Sequence, residues 1–402
     1  MRIKVKDKWF NFFSRALEYS LYALVFFIPI SIFLIEIFFT IAITLFTIKK
    51  IIEKDVKFLY NKTHFFLALF FIFSALSLIS SGIYFDRSLK ALIAKWMEYF
   101  LLFIICADTL KEYRIRRNCF FILIGISFFV GIDVFFQRFM GWEYFRQREM
   151  VKIVGGLAGV TGPFTHYNDL GAYLVIMLSL AFAQFMVAKQ KIRKFSFCAL
   201  TAILAAGLLM TFSRGAWFGA GVAFIIMMLF LRRFKILLAF ICIILLILLV
   251  APDIRERFLF TFQKGGDATR FMLWRGAWSM IKEKPFLGKD LGTFMIYMPE
   301  YTHQKTIQYA HNSFLQIWAE AGIFGLLAFL LFVTAVLSKA IRSIRANKNF
   351  ILLGAFCGVC GFLAHSFFDS QLYSLQLSIL FWFMLGFLSA SSQANTKTAE
   401  MA

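Results

Sequence analysis

Long apolar runs, separated by short clusters of lysine and arginine, leave this chain few ways to fold. A helix needs about 20 apolar residues to cross the ~30 Å hydrocarbon core of a bilayer. Twelve runs approach that length: 16–32, 34–48, 64–83, 89–108, 118–138, 168–188, 195–212, 215–231, 235–251, 311–337, 350–368 and 370–389. Hydrophobic residues make up 61% of the chain and charged residues 16%, too little charge for a soluble protein of this size. The runs are continuous and do not alternate, which argues against an outer-membrane barrel. The expected fold class is an all-α polytopic membrane protein with about twelve transmembrane helices and one long polar loop.

The charges order those helices. Arg2, Lys4, Lys6, Lys8 and Arg15 precede the first run, and Lys49, Lys50, Lys54, Lys57 and Lys62 follow the second. Every second gap thereafter is again short and basic, down to Lys339, Arg342, Arg345 and Lys348. With both termini cytoplasmic, this alternation obeys the positive-inside rule throughout. It requires the stretch 19–48 to be two helices, broken near Pro29 and Glu36. The basic Met1–Arg15 segment then reads as a retained signal-anchor. The net charge of +21 is distributed as membrane topology signals and sites for anionic lipid headgroups, so no nucleic-acid partner is expected. The 6 Cys all lie in or beside apolar runs, which implies no disulfide framework. The chain divides into helices over 1–251, a polar loop over 252–310, and helices plus a tail over 311–402, as one integral membrane domain. The 139–167 connection, Arg214, the whole 252–310 loop and the 365–370 turn fall on the exterior, periplasmic side.

The polar loop carries Phe258, Phe260, Phe262, Phe271, Trp274 and Trp278, enough apolar surface to fold on a membrane. Phe271, Trp274, Trp278 and Ile281 recur at helical spacing, which predicts an interfacial helix over 270–282 with its aromatics toward lipid. Residues able to bind a phosphate or move a proton cluster near this side. Arg214 begins an apolar run in Thr211-Phe212-Ser213-Arg214-Gly215, where a guanidinium can either snorkel to water or fork onto phosphate oxygens. Gly215, Gly219 and Gly221 permit close helix approach. Arg270 and Arg275 lie on the predicted interfacial helix; they and Lys264 are equally readable as solvated surface. His311, in His311-Asn312-Ser313, stands where the loop becomes a helix, as a proton acceptor or simply a helix-end bond. Glu320 is a carboxylate inside a span, expected to pair with a neighbouring helix. His166 precedes a helix on the same side, and Asp133, His365 and Asp369 are weaker candidates there. Lys95 and Glu98, one turn apart, predict an internal ion pair. Gly155-Gly156-x-x-Gly159 lacks a nucleotide-binding context. Acidic residues are too scattered to predict a metal site.

Five pieces in order carry a family resemblance: Gly162-Pro163-Phe164-Thr165-His166-Tyr167-Asn168, Thr211-Phe212-Ser213-Arg214-Gly215, Arg270-Phe271-Met272-Leu273-Trp274, Pro285-Phe286-Leu287-Gly288, and His311-Asn312-Ser313-Phe314-Leu315-Gln316 running on to Glu320-x-Gly322. With its long outer loop between the Arg214 and His311 motifs, the chain resembles the O-antigen ligase and O-antigen polymerase superfamily of bacterial inner membranes, and most the ligases. The resemblance implies a metal-independent, cofactor-free glycosyltransferase of the membrane GT-C type. Its donor would be a polysaccharide on undecaprenyl diphosphate, and its acceptor a sugar hydroxyl of lipid A–core. Arg214 and Arg270 match the family's diphosphate-binding arginines, and His311 the histidine proposed as general base or acceptor-orienting group.

Two other readings stay open. A polymerase joining repeat units on the same carrier would use nearly the same residues. A twelve-helix transporter shares the topology, but the chain lacks visible two-half symmetry and midplane helix breaks.

Overall fold

The computed structural model describes residues 2–54, 62–80, 82–153, 156–260, 268–302 and 309–399. Lys57, Gly155, Phe262 and Lys264 lie outside them. The chain is almost wholly helical: α1 (Arg2–Phe27), α2 (Ile32–Glu53), α3 (Lys62–Leu76), α4 (Phe85–Ala91), α5 (Met97–Thr109), α6 (Tyr113–Met140), α7 (Tyr167–Val187), α8 (Lys191–Met210), α9 (Arg214–Leu231), α10 (Phe234–Val250), α11 (Pro252–Leu259), α12 (Ala268–Glu283), α13 (Phe294–Thr302), α14 (Ser313–Asn347), α15 (Phe350–Ser366) and α16 (Leu375–Ala399). The one sheet among the described residues is a two-stranded hairpin, Val151–Lys152 against Ala158–Gly159, in the α6–α7 connection. Among the described residues, each of the twelve apolar runs overlaps one or more helices. Seven of these helices are long and apolar enough to cross a membrane, and eight if α10 and α11, bent by 101°, count as one span.

The stretch 19–48 is broken where the charges demand, a few residues early: α1 stops at Phe27, and Ser31 caps α2 by accepting from the Leu34 N–H. Lys95 and Glu98 do not pair. A π-helical turn over Leu92–Trp96 adds a residue to the turn, leaving Lys95 exposed while Glu98 is buried.

Two packing devices hold the bundle. In α15, Gly354, Gly358 and Gly361 bring its backbone against α7, and at Gly361 against the Gly219 carbonyl of α9 as well. Between apolar helices in lipid, close van der Waals contact replaces the hydrophobic drive, and small residues allow it. Elsewhere large aromatics interlock: Phe70 meets Trp96, Phe100 and Phe329, while Phe332 stacks on Trp382. Side chains such as Phe33, Leu238 and Leu249 face outward, as a lipid-facing surface requires.

The polar loop is docked onto α14. That helix is kinked at Gly322 (φ 72°, ψ 177°), and the segment Pro285–Gly288 lies in the kink. The freed backbone groups are satisfied across the contact. Ile323 N–H and Trp318 Nε1–H both donate to the Pro285 carbonyl, and Lys289 N–H donates to the Ala319 carbonyl. Gly288 (φ 77°) and Gly322 are both needed, because a Cβ on either would collide with the opposing backbone. The Pro285 and Glu320 motifs, far apart in sequence, are therefore two sides of one joint.

The expected interfacial helix is α12. Phe271 and Trp278 are exposed as predicted, but Ile281 belongs with Leu273, Ala277 and Met280 on the buried face, against α13 and α14. A salt bridge from Lys289 to Glu283 (2.6 Å) and a hydrogen bond from Lys289 to the Tyr301 hydroxyl close the loop on itself. The Glu283 carboxyl is held below its usual range by that bond to Lys289.

Candidate active site

Helix starts build the site. Ser213 caps α9, its hydroxyl accepting from the Ala216 N–H, so Arg214 occupies the first helical position. Asn312 caps α14 through bonds from the Phe314 and Leu315 N–H groups, with His311 just outside the helix. His166 caps α7, its Nδ1 accepting from the Asn168 N–H at 3.2 Å. Arg270 is in the first turn of α12. Helix N-termini carry partial positive charge and unpaired N–H groups, a setting that favours anions. Phe212 (φ 53°) and His311 (φ 48°) both adopt left-handed backbone immediately before a cap, a conformation that costs a non-glycine residue about 1 kcal/mol or more.

Side chains join these starts. The Ser213 hydroxyl donates to the Asn168 side-chain oxygen at 2.7 Å, tying α9 to α7. The turn after α15 holds α14: the Asp369 carbonyl accepts from both the Ser313 N–H and its hydroxyl. From the same turn, Gln371 Nε2 donates to the Asn168 carbonyl and lies 3.2 Å from His365 Nε2. Gly215 leaves room for the His365 ring and Gly219 for the Gly361 carbonyl, whereas Gly221 faces open space.

At the centre, His311 Nδ1 lies 2.8 Å from the Asp369 carboxylate, which also accepts from the Ser370 N–H. No hydrogen bond forms to His311 Nε2 among the described residues. A carboxylate on Nδ1 selects the tautomer with its proton there and leaves Nε2 as the acceptor. Burial alone would raise the Asp369 carboxyl. The hydrogen bond from His311 and the charges of His311, His365 and Arg270 more than reverse this and hold it well below the usual carboxylate range. His166 is pushed below its ordinary value by burial, with the Arg270 and His311 charges adding to that and Asp369 opposing it.

The structure thus brings together Arg214, Arg270, His311 and His166. Arg214, Arg270 and Asp369 are all within electrostatic reach of the Tyr167 phenol. It separates two other candidates from them. Arg275 is solvent-exposed on α12, its side chain turned away from the cavity that Arg270 lines. Glu320 is buried in the α14 kink, where it accepts from the Phe294 N–H of the loop and lies within reach of the Tyr373 hydroxyl just before α16. Asp133 likewise serves the backbone, accepting from Tyr144 N–H. Asp369 is more central than its short sequence context suggests. The available signal was a lone aspartate in the turn between two apolar helices on the side that carries His311.

Arg214 and Arg270 lie at one end of a cavity of about 900 Å³. Its walls come from α7, α8, α9 and α10, with Phe182, Leu208, Trp217, Phe224, Phe240 and Leu248 among the lining residues. It is apolar along its length and cationic at that end. Among the described residues no group of three or more His, Cys, Asp or Glu side chains is placed to hold a metal ion.

The fold and site define a multi-pass, all-helical membrane protein with a cationic, histidine-containing site at the head of an apolar cavity. A family model described as O-Antigen ligase matches residues 199–330, from within α8 to within α14, and bears out the resemblance drawn from the motifs. Arg214, Arg270, His311 and Glu320 lie inside the matched residues; His166 and Asp369 lie outside. No curated protein matches the chain.

Proposed function

We propose that this protein is an O-antigen ligase that transfers a polysaccharide from undecaprenyl diphosphate to a sugar hydroxyl of lipid A–core, on the periplasmic face of the bacterial inner membrane. One observation carries the reading: an apolar cavity of about 900 Å³ that ends at Arg214 and Arg270. That is the shape and polarity of a polyprenyl tail with a diphosphate head. Both termini are then cytoplasmic, and about twelve helices in a GT-C-type arrangement surround the site.

In this reading Arg214 and Arg270 fork onto the diphosphate oxygens. His311 Nε2 takes the proton of the acceptor hydroxyl, while Asp369 retains the Nδ1 proton and stabilises the imidazolium that forms. The acceptor oxygen bonds to the anomeric carbon as that carbon's bond to the phosphate oxygen breaks. Both electrons leave with undecaprenyl diphosphate, whose developing charge the arginines offset. Attack opposite the leaving group inverts the anomeric centre. Charge compensation by preorganised arginines suits a metal-independent reaction. Loss of one such contact is expected to cost about 10²–10³ in rate.

The test is glycan transfer in a host lacking its own ligase, with wild type, Arg214→Ala, Arg270→Ala and His311→Ala at equal membrane levels. Capping of lipid A–core by wild type alone supports the reading. If core stays bare while lipid-linked chains lengthen, the enzyme is a polymerase acting on the same donor.

A further inference from the structure

Gln316, in the first turn of α14, belongs to the same motif as His311 and is wholly buried. Its Oε1 accepts two hydrogen bonds, from the Ala310 N–H at 3.2 Å and from the Ser370 hydroxyl at 3.0 Å. A backbone N–H can only donate, so the amide must present its oxygen here. The amide also lies within reach of the Glu320 carboxyl, one turn further along the same face of α14. Ala310 immediately precedes His311, and Ser370 immediately follows Asp369. One side-chain oxygen therefore bridges the two segments that carry the His311–Asp369 pair. Ser370 is held twice over: its N–H donates to the Asp369 carboxylate while its hydroxyl donates to Gln316.

We propose that Gln316 is a positioning residue that holds His311 and Asp369 in register for proton transfer. The inference rests on the reading of His311 as the base in glycan transfer. Two features of the pair call for such a brace. His311 has left-handed backbone (φ 48°), a conformation that persists only where the surroundings fix it. The bond from Ala310 N–H restrains the chain just before that residue. Asp369 lies in the turn between α15 and the short 3-10 segment Gln371–Tyr373, so its carboxylate is only as well placed as that turn. Ser313 ties the turn to α14 through the Asp369 carbonyl, and Gln316 adds a second tie one residue later. The direction of the imidazole is set by its bond at Nδ1, and transfer requires Nε2 to be aimed at the acceptor hydroxyl. Gln316 makes no hydrogen bond to the His311 or Asp369 side chain among the described residues; it acts through the backbone on either side of the pair.

The test is in vitro transfer by the purified full chain, from the undecaprenyl-diphosphate-linked glycan to lipid A–core, with kcat, donor KM and thermal midpoint all measured. Gln316→Met removes the shared acceptor at similar volume and should lower kcat by about ten- to a hundredfold, with donor KM within about twofold of wild type. Ser370→Ala removes only one of the two bonds and should lower kcat by about three- to tenfold. It carries the test if Gln316→Met does not fold. In an Asp369→Asn background, Gln316→Met should cost less than about threefold more, because the pair it aligns is already disabled. A merely structural role would lower the thermal midpoint without this non-additive loss in kcat. If Gln316→Met and Ser370→Ala both keep kcat within about twofold of an active wild type, the inference alone is overturned. A loss confined to donor KM, or an equal loss with and without Asp369→Asn, overturns it too. If wild type caps no lipid A–core, the ligase reading itself falls, and the inference with it.

Discussion

Replacing Asp369 by asparagine isolates one charge at the centre of the site. The side chain keeps its size, and the backbone carbonyl that anchors Ser313 is untouched. What changes is the partner of His311 Nδ1, 2.8 Å away. If the amide oxygen faces Nδ1, the hydrogen bond survives but the imidazolium formed during transfer loses a neighbouring negative charge. Opposite charges about 4 Å apart at an effective dielectric of 20 attract by about 4 kcal/mol. With the carboxylate 13% exposed and the imidazole 31%, solvent reduces this to roughly 3 kcal/mol, or about 10²-fold in kcat. If the amide NH₂ faces Nδ1, the ring proton is forced onto Nε2, which then cannot accept the acceptor's proton, and the loss approaches about 10⁴-fold. The expected result is a kcat lowered by about 10²–10⁴. KM for the lipid-linked donor should change little, since Arg214 and Arg270 remain. The assay is in vitro transfer by purified enzyme with both constants determined, and the thermal midpoint as a folding control. Because the Asp369 carboxyl is held well below 3.8, its contribution to stability is present above that value and is lost only as pH falls through the lower folded value. Wild type and variant should therefore converge in stability only in strong acid. A folded Asp369→Asn enzyme with kcat within about threefold of wild type, less than ~0.7 kcal/mol, would refute the proton-transfer role of this pair.

Three further outcomes follow from the geometry. Gly221 lines the cavity and has open space where a Cβ would stand, so Gly221→Phe should fold normally yet block long lipid tails. Competition between undecaprenyl and farnesyl diphosphates would show selective loss of the longer ligand. Gly322→Ala sets a Cβ against the Phe286 carbonyl at φ 72° and should destabilise the loop joint by about 3 kcal/mol or more, read as a lower thermal midpoint and faster proteolysis of 252–310. His166, pushed by burial below its ordinary value of 6.5, resists protonation in the folded state. The unfolded chain takes up that proton first, so stability falls as pH drops through about 6.5. His166→Asn keeps a capping acceptor and should flatten the thermal midpoint between pH 5 and 7; an unchanged pH slope would count against this reading.

Much of the plan is legible in the residues themselves. Apolar length dictates helices because a backbone in lipid must satisfy its own hydrogen bonds. Periodicity places α12, and the basic clusters require the break near Pro29. Arg214, Arg270 and His311 stand out because each is a polar residue at the edge of an apolar or aromatic run, where burial gives it a cost that only a partner offsets. What the tertiary structure decided is who that partner is. Asp369 meets His311 across 58 residues, Gln316 joins Ala310 to Ser370, and Pro285–Gly288 enters a kink that no local pattern announces. It also turned Arg275 outward and gave Glu320 to a backbone N–H. Local sequence sets helix positions through short-range sterics and solvation, whereas pairings between helix ends depend on the rotation and depth of each helix. Those are set by the sum of many small contacts, such as Gly361 against Gly219 and Phe70 against Phe329, and so exist only once the bundle has packed.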